Sequence, residues 1–245
     1  MVTLDCNGVR FENVGAIVFD KDGTLADSIG FLKELGQNRA QAVAAEVSGI
    51  ETAILQAFGY VENGLNPAGL LAVGTRLENE IAVATLIAQT GRDWIEALAI
   101  ARFSFKHADR DLARKADLTP PFDGIISLVR SLHAQDVKLA ILSSDSQTNV
   151  QDFVDRYTLT PYFQVLMGAQ KGLSKPDPQL LEWACTALNT HSQTTLVIGD
   201  TIADLQLAIQ GGAIGSIGVT WGGTTPAQLA KASAIADRPE QIQIL

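Results

Sequence analysis

The sequence predicts an α/β protein: a mostly parallel sheet with helices on both faces, interrupted early by a helical insertion. Continuous apolar runs that end in an acid or hydroxyl, "GAIVFD", "VKLAILSS" and "TTLVIGD", have the texture of strands covered on both sides. In the second half of the chain such runs alternate with helical patterns, as a parallel sheet with crossover helices requires. From about Gly30 to Ala116 the texture is instead alanine-rich and helical, without a β-rich run.

The elements follow in order. "VTLDCNGVRF" carries Asn7-Gly8 between short alternating runs, the chemistry of a two-residue hairpin turn. "GAIVFD" is the first core strand. "NRAQAVAAEVSGIETAILQAF", "ENEIAVATLIAQTG" and "DWIEALAIARFSFKHA" are helical, separated by "ENGLNPAG" and "TGRD". "LTPPFDG" reads as a linker, with Asp123 a candidate cap for the helix "GIISLVRSLHAQ". Then come strand "VKLAILSS", helix "QTNVQDFVDRY", strand "FQVLMG", and helix "DPQLLEWACTAL" with Pro178 at its first position. Strand "TTLVIGD", helix "ADLQLAIQGG", strand "IGSIGVTWG" and helix "TPAQLAKA" complete the alternation, and "SAIADRPEQIQIL" is expected to add a short edge strand and a terminal helix. The domain boundaries expected are a core from residues 1–28 and 117–245 and a helical domain from residues 29–116. The insertion leaves at the C-terminal end of a strand, where open α/β sheets bind ligands, which suggests a lid.

Composition narrows the function classes. Apolar residues make up 47% of the 245 and charged ones 18%, ample to build a core. The net charge of −9 disfavours a nucleic-acid partner, and an anionic substrate would need concentrated positive charge from a metal ion or a lysine. No apolar run of about 18 residues predicts a membrane span, and "MVTLDCNGVRF" lacks a basic region followed by an apolar one. A cytoplasmic protein is expected, with Cys6 and Cys185 as reduced core thiols.

"IVFDKDGTLADS" sets Asp20 and Asp22 two apart, so that on an extended chain both could face one spot where the strand leaves the sheet. Paired carboxylates there favour a divalent cation or a shared proton. The plainer alternative makes Asp22-Gly23 a turn and Asp20 a surface acid. "VIGDTIAD" adds Asp200 at a second strand end and Asp204 beyond it, although Asp204 alone reads as an acid at a helix N-terminus. Together the acids make an oxygen-rich Mg²⁺ site the economical explanation. "LAILSSDS" supplies Ser143, Ser144 and Ser146 before a helix start, with Ser146 read as the cap. "LSKPDP" supplies Lys175 between a loop and a core helix. Strand alternation points the Lys21 side chain away from Asp20 and Asp22, a peripheral role.

In order and spacing these pieces resemble the haloacid dehalogenase-like hydrolase superfamily, whose phosphatases carry Asp-x-Asp-Gly-Thr, a Ser or Thr ending the second core strand, a Lys, and Gly-Asp-x-x-x-Asp. The resemblance covers Asp20 to Thr24, Ser143, Lys175 and Gly199 to Asp204, and over the whole chain it implies a Rossmann-like core with an inserted α-helical cap. It implies that Asp20 is a nucleophile forming an aspartyl-phosphate, and that Asp22 protonates the leaving oxygen and later activates water. Ser143 and Lys175 would hold phosphoryl oxygens. Asp200 would bind Mg²⁺ with Asp20 and the Asp22 carbonyl, while Asp204 would orient the metal's waters or bind it indirectly. Gly23 would let the chain turn beneath the phosphate and Thr24 brace that turn. Ser144 stands where many family phosphatases carry Asn.

The branch most resembled is the phosphoglycolate phosphatase-like one, implying a Mg²⁺-dependent hydrolase of a small phosphorylated metabolite, with substrate choice set by the cap. Lys33, Arg39 and Arg76 are the cap cations to inspect. Two alternatives stand beside it. A sugar-phosphate mutase of the β-phosphoglucomutase type would use the same aspartates, and a non-catalytic phosphate-binding regulatory module would leave the acids without chemistry. The glycine-rich "GGAIGSIG" leaves a helix and enters a strand, the reverse of a dinucleotide fingerprint.

Overall fold

A computed structural model describes residues 1–62, 64–110, 112–170 and 172–245. The chain divides into two compact units, one formed by Met1–Asp27 with Thr119–Leu245, the other by Ser28–Leu118. The Asn63 of the expected "ENGLNPAG" break lies outside the described residues.

The chain opens with β1 (Val2–Cys6) and β2 (Val9–Val14), an antiparallel hairpin whose turn residues Asn7 and Gly8 both have positive φ, 53° and 86°. Strand β3 (Ala16–Phe19) follows, with all four residues buried. The second unit then contributes α1 (Ile29–Glu46), α2 (Glu51–Phe58), β4 (Tyr60–Val61), β5 (Gly64–Leu65), α3 (Leu70–Val73), α4 (Arg76–Ala88), α5 (Trp94–Ala108) and α6 (Lys115–Leu118). Back in the first unit come α7 (Ile125–Ala134), β6 (Lys138–Leu142), α8 (Gln147–Arg156), β7 (Val165–Met167) and α9 (Pro178–Ala187). Strand β8 (Thr195–Gly199), α10 (Ile202–Gln210), β9 (Gly215–Val219), β10 (Ala234–Ala236) and β11 (Ile242–Ile244) complete it.

The main sheet has six strands in the order β10-β9-β8-β3-β6-β7, and each neighbouring pair in it is parallel. Alternate residues of its strands feed two cores. Ile17, Phe19, Leu139, Ile141, Leu196 and Ile198 join the apolar faces of α7 and α8. Ala16, Val18, Ala140, Leu142 and Val197 join α9 and α10 through Leu180, Leu181, Leu207 and Ala208. Burial on both faces is why these strands read as unbroken apolar runs. The chain runs outward from β3 through β6 and β7, then returns through α9 to β8 on the other side of β3. That reversal makes the C-terminal end of β3 the topological switch point, where an open α/β sheet leaves a crevice for a ligand.

Four local expectations are corrected. Asp123 does not cap α7, because Gly124 occupies the cap position at φ 84° with no side-chain bond, leaving Asp123 one residue early. "TPAQLAKA" forms no helix. Its amides at Gln228, Leu229 and Ala232 bond to carbonyls three residues back, and the Gln228 side chain accepts from both the Thr225 amide and hydroxyl, which locks a turn. The C-terminus ends in strand β11 in place of a terminal helix, because "IQI" alternates and pairs antiparallel with β1, Leu4 opposite Ile244. Within 29–116 there is also a two-residue ladder, β4 with β5, too short to leave a period-two signature.

The helical unit has its own core, including Phe31, Val43, Ile54, Phe58, Val83, Ile87, Ala101 and Phe105. A capping box at Thr75 and Glu78 starts α4, and the Asp93 carboxylate accepts from the Glu96 amide to start α5. Arg39 is buried and grips Asp109 through two bonds of 2.8 and 2.9 Å. Arg76 pairs with Glu80 at 2.8 Å and also with Asp109. These two cations, singled out in the sequence for inspection against a substrate, are therefore engaged inside their own unit. Lys33 forms no ion pair with any described residue. Among the described residues no helix is long and apolar enough to cross a membrane.

Candidate active site

Parallel pairing brings three strand ends to one edge of the sheet. Phe19 lies opposite Ile141 on one side and Ile198 on the other, so Asp20, Ser143 and Asp200 all emerge just past the last ladder residues. The Asp20 amide still bonds to the Ile198 carbonyl at 2.9 Å, which fixes where its side chain starts.

Beyond Asp20 the backbone leaves the strand. The Lys21 carbonyl accepts from the amides of Thr24, Leu25 and Ala26, and the Gly23 amide returns to the Ala26 carbonyl at 2.9 Å. Gly23 sits at φ 88°, and a Cβ there would fall 2.2 Å from Asp200 Oδ2. Only glycine meets both demands. Thr24 is wholly buried and donates its hydroxyl to Asp200 Oδ1 at 3.0 Å, while its carbonyl accepts from the Trp221 indole at 2.8 Å.

Lys175 reaches the same edge from the loop before α9, in a cis peptide bond with Pro176. Its ammonium donates to Asp20 Oδ1 at 2.5 Å and to Asp204 Oδ1 at 2.7 Å. Asp204 also closes a capping box, its other oxygen accepting from the Thr201 hydroxyl at 2.6 Å and amide at 3.1 Å. It is thus both the helix-terminus acid and a member of the cluster. Gly199 makes room for it, since a Cβ there would lie 2.4 Å from Asp204 Cγ.

Carboxylate oxygens of Asp20, Asp200 and Asp204, all buried, lie within 4.8 Å of one another. Burial pushes the Asp20 carboxyl up to about 6; Lys175 opposes that shift, and the charges of Asp204 and Asp22 add to it. Burial raises Asp200 well above the ordinary carboxylate range, with Asp20 and Asp204 contributing. Burial alone would lower the Lys175 ammonium, yet its two acid partners outweigh burial and raise it. Three buried acids around one ammonium leave negative charge that only protons or a further cation can compensate. All donors are oxygens, so a hard divalent ion fits the set.

The remaining expected site residues sit close by. The Asp22 carboxylate is not one of the three clustered acids; its Oδ1 accepts from Lys21 Nζ at 2.7 Å. Ser143 is buried, and its oxygen accepts from the Asp145 amide at 3.1 Å. Ser144 follows it, half-buried, and Ser146 caps α8 by accepting from the Asn149 amide at 3.1 Å. Lys21 corrects the alternation argument: only 1% exposed, it pairs with Asp22 and, at 3.1 Å, with Asp145. Alternation fails because the turn that gathers three amides on the Lys21 carbonyl has already ended the strand. Sequence reasoning missed Lys21, Asp145 and Trp221. A lysine wedged between two acids at a strand end was the available signal for the first; the other two carry none.

The model of the haloacid dehalogenase-like hydrolase family matches residues 14–212, spanning the strand ends that carry Asp20, Ser143 and Asp200. The chain belongs to this family. Among curated relatives, the pyrophosphatase PpaX of Listeria monocytogenes is 29% identical over 130 residues, 53% of this chain and 56% of that protein. The chain therefore spans only a little over half the length of that relative. A phosphoglycolate phosphatase of Photobacterium profundum is 24% identical over 214 residues, covering 87% of this chain and 86% of its own. Of solved structures, a predicted phosphoglycolate phosphatase from Haemophilus somnus superposes with a TM-score of 0.69 at 19% identity, over 93% of this chain and 95% of its own. That likeness establishes the haloacid dehalogenase-like fold.

Proposed function

We propose that this family member is a Mg²⁺-dependent phosphatase that hydrolyses a small-molecule phosphate monoester through an aspartyl-phosphate on Asp20. The observation that carries the reading is the Lys175 ammonium, 2.5 Å from Asp20 and 2.7 Å from Asp204, inside a cluster of three buried acids at the switch point. Phosphoryl transfer needs positioning and charge neutralisation, and this cluster offers both. The names of the relatives, a pyrophosphatase and a phosphoglycolate phosphatase, agree with phosphate chemistry.

In this reading Asp20 attacks phosphorus, the ester P–O bond breaks, and Asp22 gives its proton to the leaving oxygen. Water then attacks the acylphosphate phosphorus with Asp22 taking its proton, which frees phosphate and restores Asp20. Lys175 and the Ser143 hydroxyl hold phosphoryl oxygens, the turn at Gly23 and Thr24 lies beneath the phosphate, and Ser144 stands alongside it. Mg²⁺ held by Asp20, Asp200, the Asp22 carbonyl and, directly or through water, Asp204 would neutralise the phosphoryl oxygens. Residues 1–28 and 117–245 are read as the catalytic core. Residues 29–116, inserted in the chain just after the Asp20 turn, are read as the cap that selects the metabolite. Cys6 and Cys185 are free and buried, which supports a reducing, cytoplasmic setting.

The test is phosphate release from a panel of sugar phosphates, nucleotides, pyrophosphate and 2-phosphoglycolate, with Mg²⁺ and with EDTA, for wild type and Asp20→Asn. Release that needs Mg²⁺ and is lost in Asp20→Asn is the expected result. Undiminished turnover by Asp20→Asn would defeat the covalent mechanism.

A further inference from the structure

We propose that Lys21 and Asp145 are positioning residues that hold the Asp22 carboxyl group where its proton meets the leaving oxygen. The inference rests on the phosphatase reading above, in which Asp22 is the proton donor. Lys21 is 1% exposed, and its ammonium lies 2.7 Å from Asp22 Oδ1 and 3.1 Å from Asp145 Oδ2. The same ammonium stands 5.7 Å from the centroid of the Phe153 ring on α8, a cation–π distance.

Asp145 is itself fixed. Its Oδ1 accepts from the Ser146 amide and from Asn149 Nδ2, both at 2.7 Å, its amide donates to Ser143 at 3.1 Å, and its carbonyl accepts from Ala169 at 2.6 Å. A chain of bonds therefore runs from the first turn of α8 through Asp145 and Lys21 to Asp22. The Lys21 backbone is equally tied, its carbonyl gathering the amides of Thr24, Leu25 and Ala26. The ammonium is hydrogen-bonded to one carboxylate and ion-paired with a second, and the apolar Phe153 ring flanks it, which suits an anchor better than a phosphate contact.

Burying a lysine costs several kcal/mol unless its partners are well placed, so an apolar side chain would serve packing better here. What Lys21 adds is direction. A carboxyl group that must hand a proton to a leaving oxygen works only within a fraction of an ångström of its productive position, and an anchored ammonium on Oδ1 fixes the group with its other oxygen left to carry the proton.

The test compares kcat/KM for p-nitrophenyl phosphate with that for 2-phosphoglycolate, or for the alkyl ester turned over best in the panel above. This ratio contains only steps up to release of the leaving group, and only the alkoxide needs a proton to leave. In the full chain with Mg²⁺, Lys21→Met is expected to lose about 10- to 100-fold on the alkyl ester and less than about 3-fold on the aryl ester. Asp145→Asn, which leaves the Lys21 and Asp22 side chains chemically unchanged, should show the same selectivity and carries the test if Lys21→Met does not fold. The double variant should be no worse than Lys21→Met, because the two act as a unit. Equal losses on both esters, strictly additive losses or no loss would overturn the inference while leaving the phosphatase reading intact. A wild type that releases phosphate from neither ester overturns that reading and this inference with it.

Discussion

Asp200 fills the space in which a side chain at Gly23 would begin: a Cβ there would lie 2.2 Å from Asp200 Oδ2. The glycine of the first strand end is thus sized by the acid of the third, which leaves no room for a side chain there. Gly23→Ala adds a left-handed backbone penalty of roughly 1–2 kcal/mol to that overlap. The substitution should lower urea-unfolding stability by at least about 2 kcal/mol and reduce phosphate release about 100-fold, since Asp200 must move from Thr24. Wild-type stability in Gly23→Ala would mean that the turn relaxes freely.

Lys175 is expected to matter for folding as much as for turnover. Its ammonium is the shared partner of two buried acids. Removing one partner of such a buried set costs about 3–5 kcal/mol, because the remaining charges stay in place. Lys175→Met should therefore show a marked drop in unfolding midpoint and lose about 10²- to 10³-fold in turnover. A variant with normal stability and normal turnover would remove Lys175 from the site.

Metal binding can be followed without activity. Asp200 is raised well above the ordinary carboxylate range by burial and by the charges of Asp20 and Asp204, so its ionised form is costly in the metal-free protein. Asp200→Asn relieves that cost while its side-chain oxygen can still accept from Thr24. In EDTA its unfolding midpoint should equal or exceed that of wild type. Wild type should gain about 2.7 kcal/mol when Mg²⁺ is present at roughly a hundred times its dissociation constant, and the variant should gain little. A full Mg²⁺ shift in Asp200→Asn would exclude Asp200 as a ligand.

The fold was legible where burial wrote itself into composition. β3, β6 and β8 are covered on both faces and therefore read as unbroken apolar runs, and the acids that close β3 and β8 mark the sheet edge. Elements held by long-range pairing were not legible: "IQI" is a strand only because β1 lies beside it. The same holds within the site. Asp20 and Asp200 could be picked out from strand ends and Asp204 from its spacing after Asp200, but the Lys21 contact depends on a turn whose path no periodicity encodes. Trp221 reaches the Thr24 carbonyl from 197 positions along the chain, which local pattern cannot reveal.

The last expectation concerns pH. The Asp20 carboxyl is pushed up to about 6 by burial, against an ordinary value of 3.8. Below 3.8 the group is protonated in both folded and unfolded chains, and above about 6 it is ionised in both. Between them the folded protein holds a proton that the unfolded chain has lost. The stability this confers is fully present below 3.8 and is lost as pH rises through about 6, a change on the order of 3 kcal/mol. Other carboxylates titrate in the same window, so the comparison is with Asp20→Asn, which cannot titrate. In EDTA, the stability of wild type relative to Asp20→Asn should rise as pH is lowered from 7 to 4. A difference that stays flat or falls would show that Lys175 keeps Asp20 ionised throughout, so that its charged form needs no metal.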